Sequence, residues 1–593
     1  MAENVQPVAE ADDVVVEPEV MVAMRDGVRL RTHVYRPAGG GPFPTLVTRT
    51  PYVGADTLDP QTRGIVAQGY AVVRQHSRGR YGSEGTFYPF HIEVDDGYDT
   101  IEWAAAQPWS TGKVGTFGAS YGGAQQWCAA TARPPHLVAM APTSSGWSFV
   151  GGTNARYWDT GVLGLGLALQ WSAQMTTWEA ERAGVPSPLP AFAQSEEAMK
   201  VLATNPAALR EAGVASGRVL KELLARRPLR DIDELQELAP WWRDWCDHDH
   251  KTDPYWQEIQ ASDHIDALTM PIFHTAGWFD FFTNVGIEAF TTLRQRGVTQ
   301  EVRNSQRLEV GPWSHVPGVQ PRPDLPSDLP AMGSMHAGSG VMEFFRVHLK
   351  GEDSELLEGA PVRIFVMGAN QWRSEWEWPL ARTEWTPYYL HSAGAANTLE
   401  GDGSLGAEPP DDEPADSFVY DPADPVPSPL AVGAPPGRRA TPLAVGSRAD
   451  VLVYRTPPLQ RDMEVSGPIT LELWVSSSVA DTDFTAKLID VLPDGELVPL
   501  CQGMVRTRNV IDSMVPEGIY AFKIDLWATS NMFQAGHRIG LYVSSSEFPT
   551  YELNPNTGVR ITHDLSGDTA VATQLVHHDA THASRLILPI IPA

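Results

Sequence analysis

Gly118-Ala119-Ser120-Tyr121-Gly122-Gly123 sets a serine in the pattern Gly-x-Ser-x-Gly. Residues 113–117 before it read as a buried strand, and residues 124–130 after it read as a helix. A serine on so tight a strand-to-helix turn is pushed outward by strained backbone angles that bulky neighbours forbid. The first amides of the following helix face any negative charge that develops beside it. This is the chemistry of a nucleophile for acyl transfer. A serine needs a base within hydrogen-bond reach, and the base needs an orienting carboxylate. On a parallel sheet these follow in the order Ser, Asp or Glu, His, each just after a strand. Asp280, in Gly277-Trp278-Phe279-Asp280, follows a strand read as ending at Thr275. His315, in Gly311-Pro312-Trp313-Ser314-His315, follows one read as ending at Val310. Taken singly, Asp280 could cap a helix and His315 could bond backbone; their order and shared strand-end placement favour the catalytic reading. His274 lies inside a strand, His336 lacks a preceding strand, and Asp263 and Asp266 come before the strand. A developing oxyanion also needs donors. The amide of Tyr121 is one. The loop carrying Tyr52 offers a second, although composition alone favours Tyr52 as a packing aromatic.

The elements that must hold these groups alternate. Residues 21–24 and 28–35 flank Arg25-Asp26-Gly27, a hairpin signal. Runs at 45–50, 70–75, 136–142, 270–275 and 306–310 read as strands, and 94–106 as a helix with apolar positions at 3/4 spacing. Strands alternating with helices predict an α/β domain with a sheet covered on both faces and a ligand site beyond the strand ends. Between about 147 and 260 the pattern turns helical, at 196–203, 206–211, 217–226 and 231–244, and reads as a cap inserted into that domain. Asp247-His248-Asp249-His250 lies there, but adjacent residues rarely converge on one ion, and no metal or cofactor is expected. From Pro361 onward, short strand-like runs (362–367, 469–475, 539–543) predict an all-β sandwich, with a loop over 394–416. The expected organisation is a disordered tail over 1–17, a hydrolase domain over 18–146 and 261–355, a cap over 147–260, and a β-sandwich over 356–593.

At 593 residues the chain exceeds one core. A formal charge of −29, from 44 basic and 73 acidic side chains, disfavours nucleic acid and anionic membranes as partners. Three scattered cysteines, Cys128, Cys246 and Cys501, give no disulfide framework and fit a cytoplasmic protein. No signal peptide or membrane-spanning run is expected. The sequence leaves the oligomeric state open, and a homodimer is compatible with it.

Several motifs together resemble one family. Thr50-Pro51-Tyr52, Arg78-Gly79-Arg80-Tyr81-Gly82-Ser83-Glu84-Gly85, the Ser120, Asp280 and His315 segments, residues 420–427 and Leu526-Trp527-Ala528-Thr529-Ser530 are similar to the cocaine esterase and X-Pro dipeptidyl-peptidase (CocE/NonD) serine hydrolases. The resemblance runs from about residue 18 to the end. It implies an α/β-hydrolase domain with an inserted helical cap and a C-terminal jelly roll. It gives Ser120 the role of nucleophile, His315 of base, Asp280 of orienting acid, and Tyr52 hydroxyl and Tyr121 amide of oxyanion donors. It also implies an aromatic acyl pocket, for which Phe282, Trp147 and Trp158 are the candidates. The implied substrate is a small-molecule carboxylic ester. X-Pro peptides and α-amino acid esters are the alternatives, and those require a buried carboxylate cluster for the substrate ammonium, which the sequence does not place. A binding protein with an inactive hydrolase core is the remaining alternative.

Overall fold

The computed structural model describes residues 13–150, 158–159, 161–187, 218–315, 322–428 and 441–592. Ten strands form the first sheet, in the order β1-β2-β4-β3-β5-β6-β9-β10-β11-β12. They are β1 (Val14–Ala23), β2 (Arg29–Pro37), β3 (Phe43–Thr50), β4 (Ala71–His76), β5 (Ser110–Ala119), β6 (Leu137–Thr143), β9 (Phe273–Phe279), β10 (Arg307–Ser314), β11 (Val362–Val366) and β12 (Gln371–Glu375). The strands β7 (Trp158–Asp159) and β8 (Val162–Leu163) make a separate short hairpin. From β4 to β11 the pairing is parallel; β1, β2 and β12 run antiparallel at the two sides.

Both faces of the sheet are covered, because its central strands are apolar on both sides. On one face α2 (His91–Ala105), α3 (Tyr121–Thr131) and the helix Thr283–Arg296 enclose a core that includes Val47, Val114, Trp127, Met140 and Ile272. On the other, α1 (Pro60–Ala67) and the helix Gly340–Lys350 pack on Leu46, Val72, Phe117 and Phe273. This is an α/β-hydrolase-like arrangement. A second sheet of eleven strands follows, antiparallel except where Ser404–Gly406 meets Leu452–Arg455. No helix among the described residues is long and apolar enough to cross a membrane.

Four expectations change. The tail expected over 1–17 gives way from Val14 onward, where β1 pairs along β2 from Val14↔Pro37; its polar residues lie on a half-solvated edge strand. The run at 362–367, expected in the C-terminal sandwich, instead pairs in parallel with β10, so the first sheet continues past residue 355. Arg363 is exposed and the other four residues of β11 are buried, and so short an apolar run does not name its sheet. The single helix expected over 231–244 is divided into Leu229–Asp231, Asp233–Gln236 and Trp241–Asp247: Ile232 is extended at the first break, and Pro240, which cannot donate within a helix, precedes the last segment. The longest helix of that region, α4 (Leu165–Ala183), was not foreseen. Leu163, Leu165, Leu167, Leu169 and Trp171 alternate as a strand would, yet α4 is buried on several faces and needs no single apolar stripe. The helices expected at 196–203 and 206–211 lie outside the described residues.

Candidate active site

Ser120 follows β5 at φ 56°, ψ −117°, and α3 begins at the next residue. Two glycines make this turn feasible. Gly118 has φ +147°, and a Cβ there would press on Gly122 carbonyl at 3.0 Å. A Cβ on Gly123 would meet Ser145 Oγ at 2.4 Å. Gly122, by contrast, has ordinary room, with its nearest neighbour at 3.5 Å. The tight packing between α3 and β6 therefore falls on Gly123.

β6 separates β5 from β9, and Asp280 is the first residue after β9. Its carboxylate is fully buried, and Oδ1 accepts the Phe282 amide at 2.8 Å. His315, the first residue after β10, bridges the gap: Nδ1 lies 2.9 Å from Asp280 Oδ2, and Nε2 lies 2.9 Å from Ser120 Oγ. A carboxylate can only accept, so the imidazole hydrogen sits on Nδ1 and Nε2 is left to accept from Ser120. Phe281 lies against the ring with centroids 4.2 Å apart, and Phe282 meets its edge at 5.4 Å. The three residues read from the sequence thus converge, although both strands run four residues further than expected, reaching Phe279 and Ser314.

Tyr121 opens α3, and its backbone amide has no carbonyl one turn earlier within the helix to receive it. Its side chain is an anchor: the hydroxyl donates to Glu93 Oε1 at 3.1 Å and accepts from the Phe90 amide at 3.1 Å. Burial first, and the neighbouring Glu93 second, hold this phenol well above its ordinary pKa. Glu93 in turn is bound by the buried Arg49. Tyr52 follows β3, and its oxygen accepts from Trp171 Nε1 of α4 at 2.8 Å. The fully buried Arg80 ties the same two elements together, donating to Pro51 carbonyl at 3.0 Å and to Met175 carbonyl at 3.1 Å. Trp171 stacks on Tyr121, with centroids 5.5 Å apart and 11° between planes. A cavity of about 270 Å³ opens beside Ala119 and Gly122, with Tyr52, Val53, Met332 and Met335 among its walls.

The proposed pocket aromatics are placed differently. Phe282 and Trp147 are buried core residues behind the sheet, and Trp147 lies 6.1 Å from Trp127. Phe282 also meets the edge of the His315 ring. The side chain of Trp158 lies outside the described residues. Three residues that sequence reasoning passed over belong to the site's frame: Trp171, Arg80 and Ser144. Ser144 Oγ donates to Asp280 Oδ2 and lies 2.9 Å from His315 Nδ1. Its signal was present, since Thr143-Ser144-Ser145 is a polar run directly after an apolar strand, the same placement that picked out Asp280 and His315. His274, set aside in the sequence, is buried against Gln306 and driven down to about 4 by desolvation. Asp247, His248 and Asp249 go separately to Arg230, Asp253 and Arg560.

Comparison with known proteins agrees with this frame. The family model of X-Pro dipeptidyl-peptidase (S15 family) matches residues 26–317, and that of the X-Pro dipeptidyl-peptidase C-terminal non-catalytic domain matches residues 358–587. Cocaine esterase from Rhodococcus sp. (strain MB1 Bresler) is 38% identical, covering 97% of this chain and 98% of its own. Among solved structures, an α-amino acid ester hydrolase is similar with a TM-score of 0.74 at 26% identity, covering 99% of this chain and 98% of its own. An aminopeptidase from a marine sediment archaeon of the Thaumarchaeota also gives 0.74, at 25% identity, covering 100% and 99%. The chain is a hydrolase and belongs to the cocaine esterase and X-Pro dipeptidyl-peptidase (S15) family of serine esterases and peptidases.

Proposed function

We propose that this chain hydrolyses carboxylic esters through an acyl-enzyme on Ser120. The observation that carries the reading is the placement of His315, 2.9 Å from Ser120 Oγ on one side and 2.9 Å from Asp280 on the other. His315 Nε2 takes the hydroxyl proton as Ser120 attacks the ester carbonyl, and Asp280 stabilises the imidazolium that forms. The carbonyl oxygen, now negative, receives the Tyr121 amide at the start of α3 and the Tyr52 hydroxyl. A phenol oxygen that accepts from Trp171 keeps the capacity to donate its own hydrogen. The imidazolium then protonates the leaving alcohol, and water repeats the sequence to release the acid. A positioned base is worth about 10²–10⁴-fold, and one oxyanion donor about 10²–10³-fold.

The helices between Leu165 and Gln257 act in this reading as a cap over the nucleophile, with Trp171 reaching down from it to Tyr52. The C-terminal sheet is read as a jelly roll closing the side of the site. The buried free thiols of Cys128, Cys246 and Cys501 suit a reducing compartment.

The solved neighbours named for aminopeptidase and α-amino acid ester hydrolase activity favour a second reading, in which the substrate carries an ammonium. In the frame of the site, Glu93 is engaged by Arg49 and Glu179 by Arg80. Carboxylates already matched in this way are poor receivers for a substrate cation, which supports the neutral ester. Side-by-side assay of p-nitrophenyl acetate and an X-Pro p-nitroanilide tests the choice. Turnover of the ester, with labelling by a fluorophosphonate that is lost in Ser120→Ala, is the expected result. Preferential cleavage of the anilide would replace the first reading with the second, and a wild-type chain that takes no label would leave only a binding role.

A further inference from the structure

Ser144 touches both partners of the nucleophile with one hydroxyl. β6 lies between the strand that delivers Ser120 and the strand that delivers Asp280, and Ser144 is the residue that leaves β6. Its amide donates to Thr275 carbonyl of β9 at 2.8 Å, fixing the turn to that strand. Its backbone is left-handed, at φ 47°, a region costly for a residue with a Cβ and tolerated where surroundings enforce it. Ser144 is itself buried, and the turn delivers its hydroxyl to Asp280 Oδ2, the oxygen that also faces His315 Nδ1. The same hydroxyl oxygen is 2.9 Å from that nitrogen.

A carboxylate buried away from water persists as an anion only when donors replace the lost hydration. Asp280 has three: the Phe282 amide on Oδ1, and the Ser144 hydroxyl and the His315 Nδ1–H on Oδ2. The Phe282 and Ser144 donors hold the carboxylate plane from opposite oxygens, while the third is the group to be oriented. The geometry points to Ser144 as the positioning residue of the Asp280–His315 pair, an inference that rests on Ser120 being the nucleophile. Without its hydroxyl, Oδ2 loses a fixed donor and the imidazole loses one of the two oxygens that define its tilt. Ser144 makes no bond to substrate in this scheme and acts only through the pair.

Ser144→Ala and Ser144→Gly test this in the full-length chain. Both delete the hydroxyl, and the glycine also relieves the left-handed backbone. Reactive sites are counted with a fluorophosphonate and turnover is measured on p-nitrophenyl acetate. In both variants kcat per titrated site is expected to fall roughly tenfold or more, the scale of a lost hydrogen bond to a charged group, with KM nearly unchanged. Wild-type kcat per titrated site in either variant overturns the inference. So does a loss confined to the alanine variant, which assigns the effect to backbone strain, and so does a change carried by KM. Labelling absent from the wild type, or turnover surviving in Ser120→Ala, removes the nucleophile reading itself. Normal Ser144 variants beside an inactive Ser120→Ala remove this inference alone.

Discussion

Two regions of the molecule bury carboxylates in opposite ways. In the C-terminal sheet, Arg506 is fully buried and donates to Asp483 at 2.8 and 2.9 Å and to Glu552 at 2.5 Å, with Asn554 adding a bond to Asp483 at 2.8 Å. Permanent charge meets permanent charge. At the strand ends of the first sheet, Asp280 is equally buried, yet it is met by an amide, a hydroxyl and a histidine ring. No fixed cation is bonded to it among the described residues. The first arrangement stabilises one state. The second leaves room for positive charge to arrive, which is what a base must accept when it takes a proton.

The largest effect separating these regions is expected from Asp280→Asn. An amide donating toward Nδ1 selects the wrong imidazole tautomer, and kcat is expected to drop by about 10⁴ while the melting temperature changes little. Steady-state kinetics with active-site titration measures it; a modest loss would erase the distinction drawn above. Arg506→Met should do the reverse. It strands two buried carboxylates and is expected to cost about 3–5 kcal/mol in denaturant unfolding, with kcat per titrated site unchanged. Next comes Tyr52→Phe, expected to lower kcat about 10²–10³-fold at nearly constant KM if its hydroxyl meets the oxyanion. An unchanged kcat would return Tyr52 to the role of a packing aromatic.

The smallest effect is acid lability in the first sheet. Desolvation drives His76 to about 3 and His274 to about 4, both from an ordinary 6.5. Each is neutral when folded and binds a proton on unfolding, so stability is full above pH ~6.5 and declines as pH falls toward those values. At pH 5 each contributes a loss of about 1–2 kcal/mol. Thermal melts from pH 7.5 to 5 should show this decline, and His274→Leu should flatten it; an unaltered slope would mean the acid response lies elsewhere.

The sequence exposed the three converging side chains more fully than their frame. Ser120, Asp280 and His315 were legible because each must follow a strand, and strand-end polar residues stand out against apolar runs. Ser144 met the same test, but no role awaited a second serine. Tyr52 needed the family resemblance, since nothing local separates a donating phenol from a packed one. Trp171 was hidden by α4, whose apolar residues alternate and whose burial on several faces erases the helical stripe. A pocket role for Phe282 and Trp147 is no easier to read, because a large aromatic beside a site and one beneath it look alike in sequence. The placement of β11 was equally invisible, because a parallel partner more than 50 residues distant leaves no mark on either strand.

That placement reaches beyond architecture. β10, which ends just before His315, pairs with β11 along Leu308↔Val362 to Val310↔Ile364. Immediately beyond, Met367 exchanges backbone bonds with Ser530 and Met532 of the second sheet, at 3.0 and 2.7 Å. A gene fragment stopped between the two halves would therefore leave the base-bearing strand as a raw, adhesive border, prone to recruit neighbouring chains. Any minimised version of this hydrolase has to retain the segment through residue 375, and must supply a substitute for the seam at Met367.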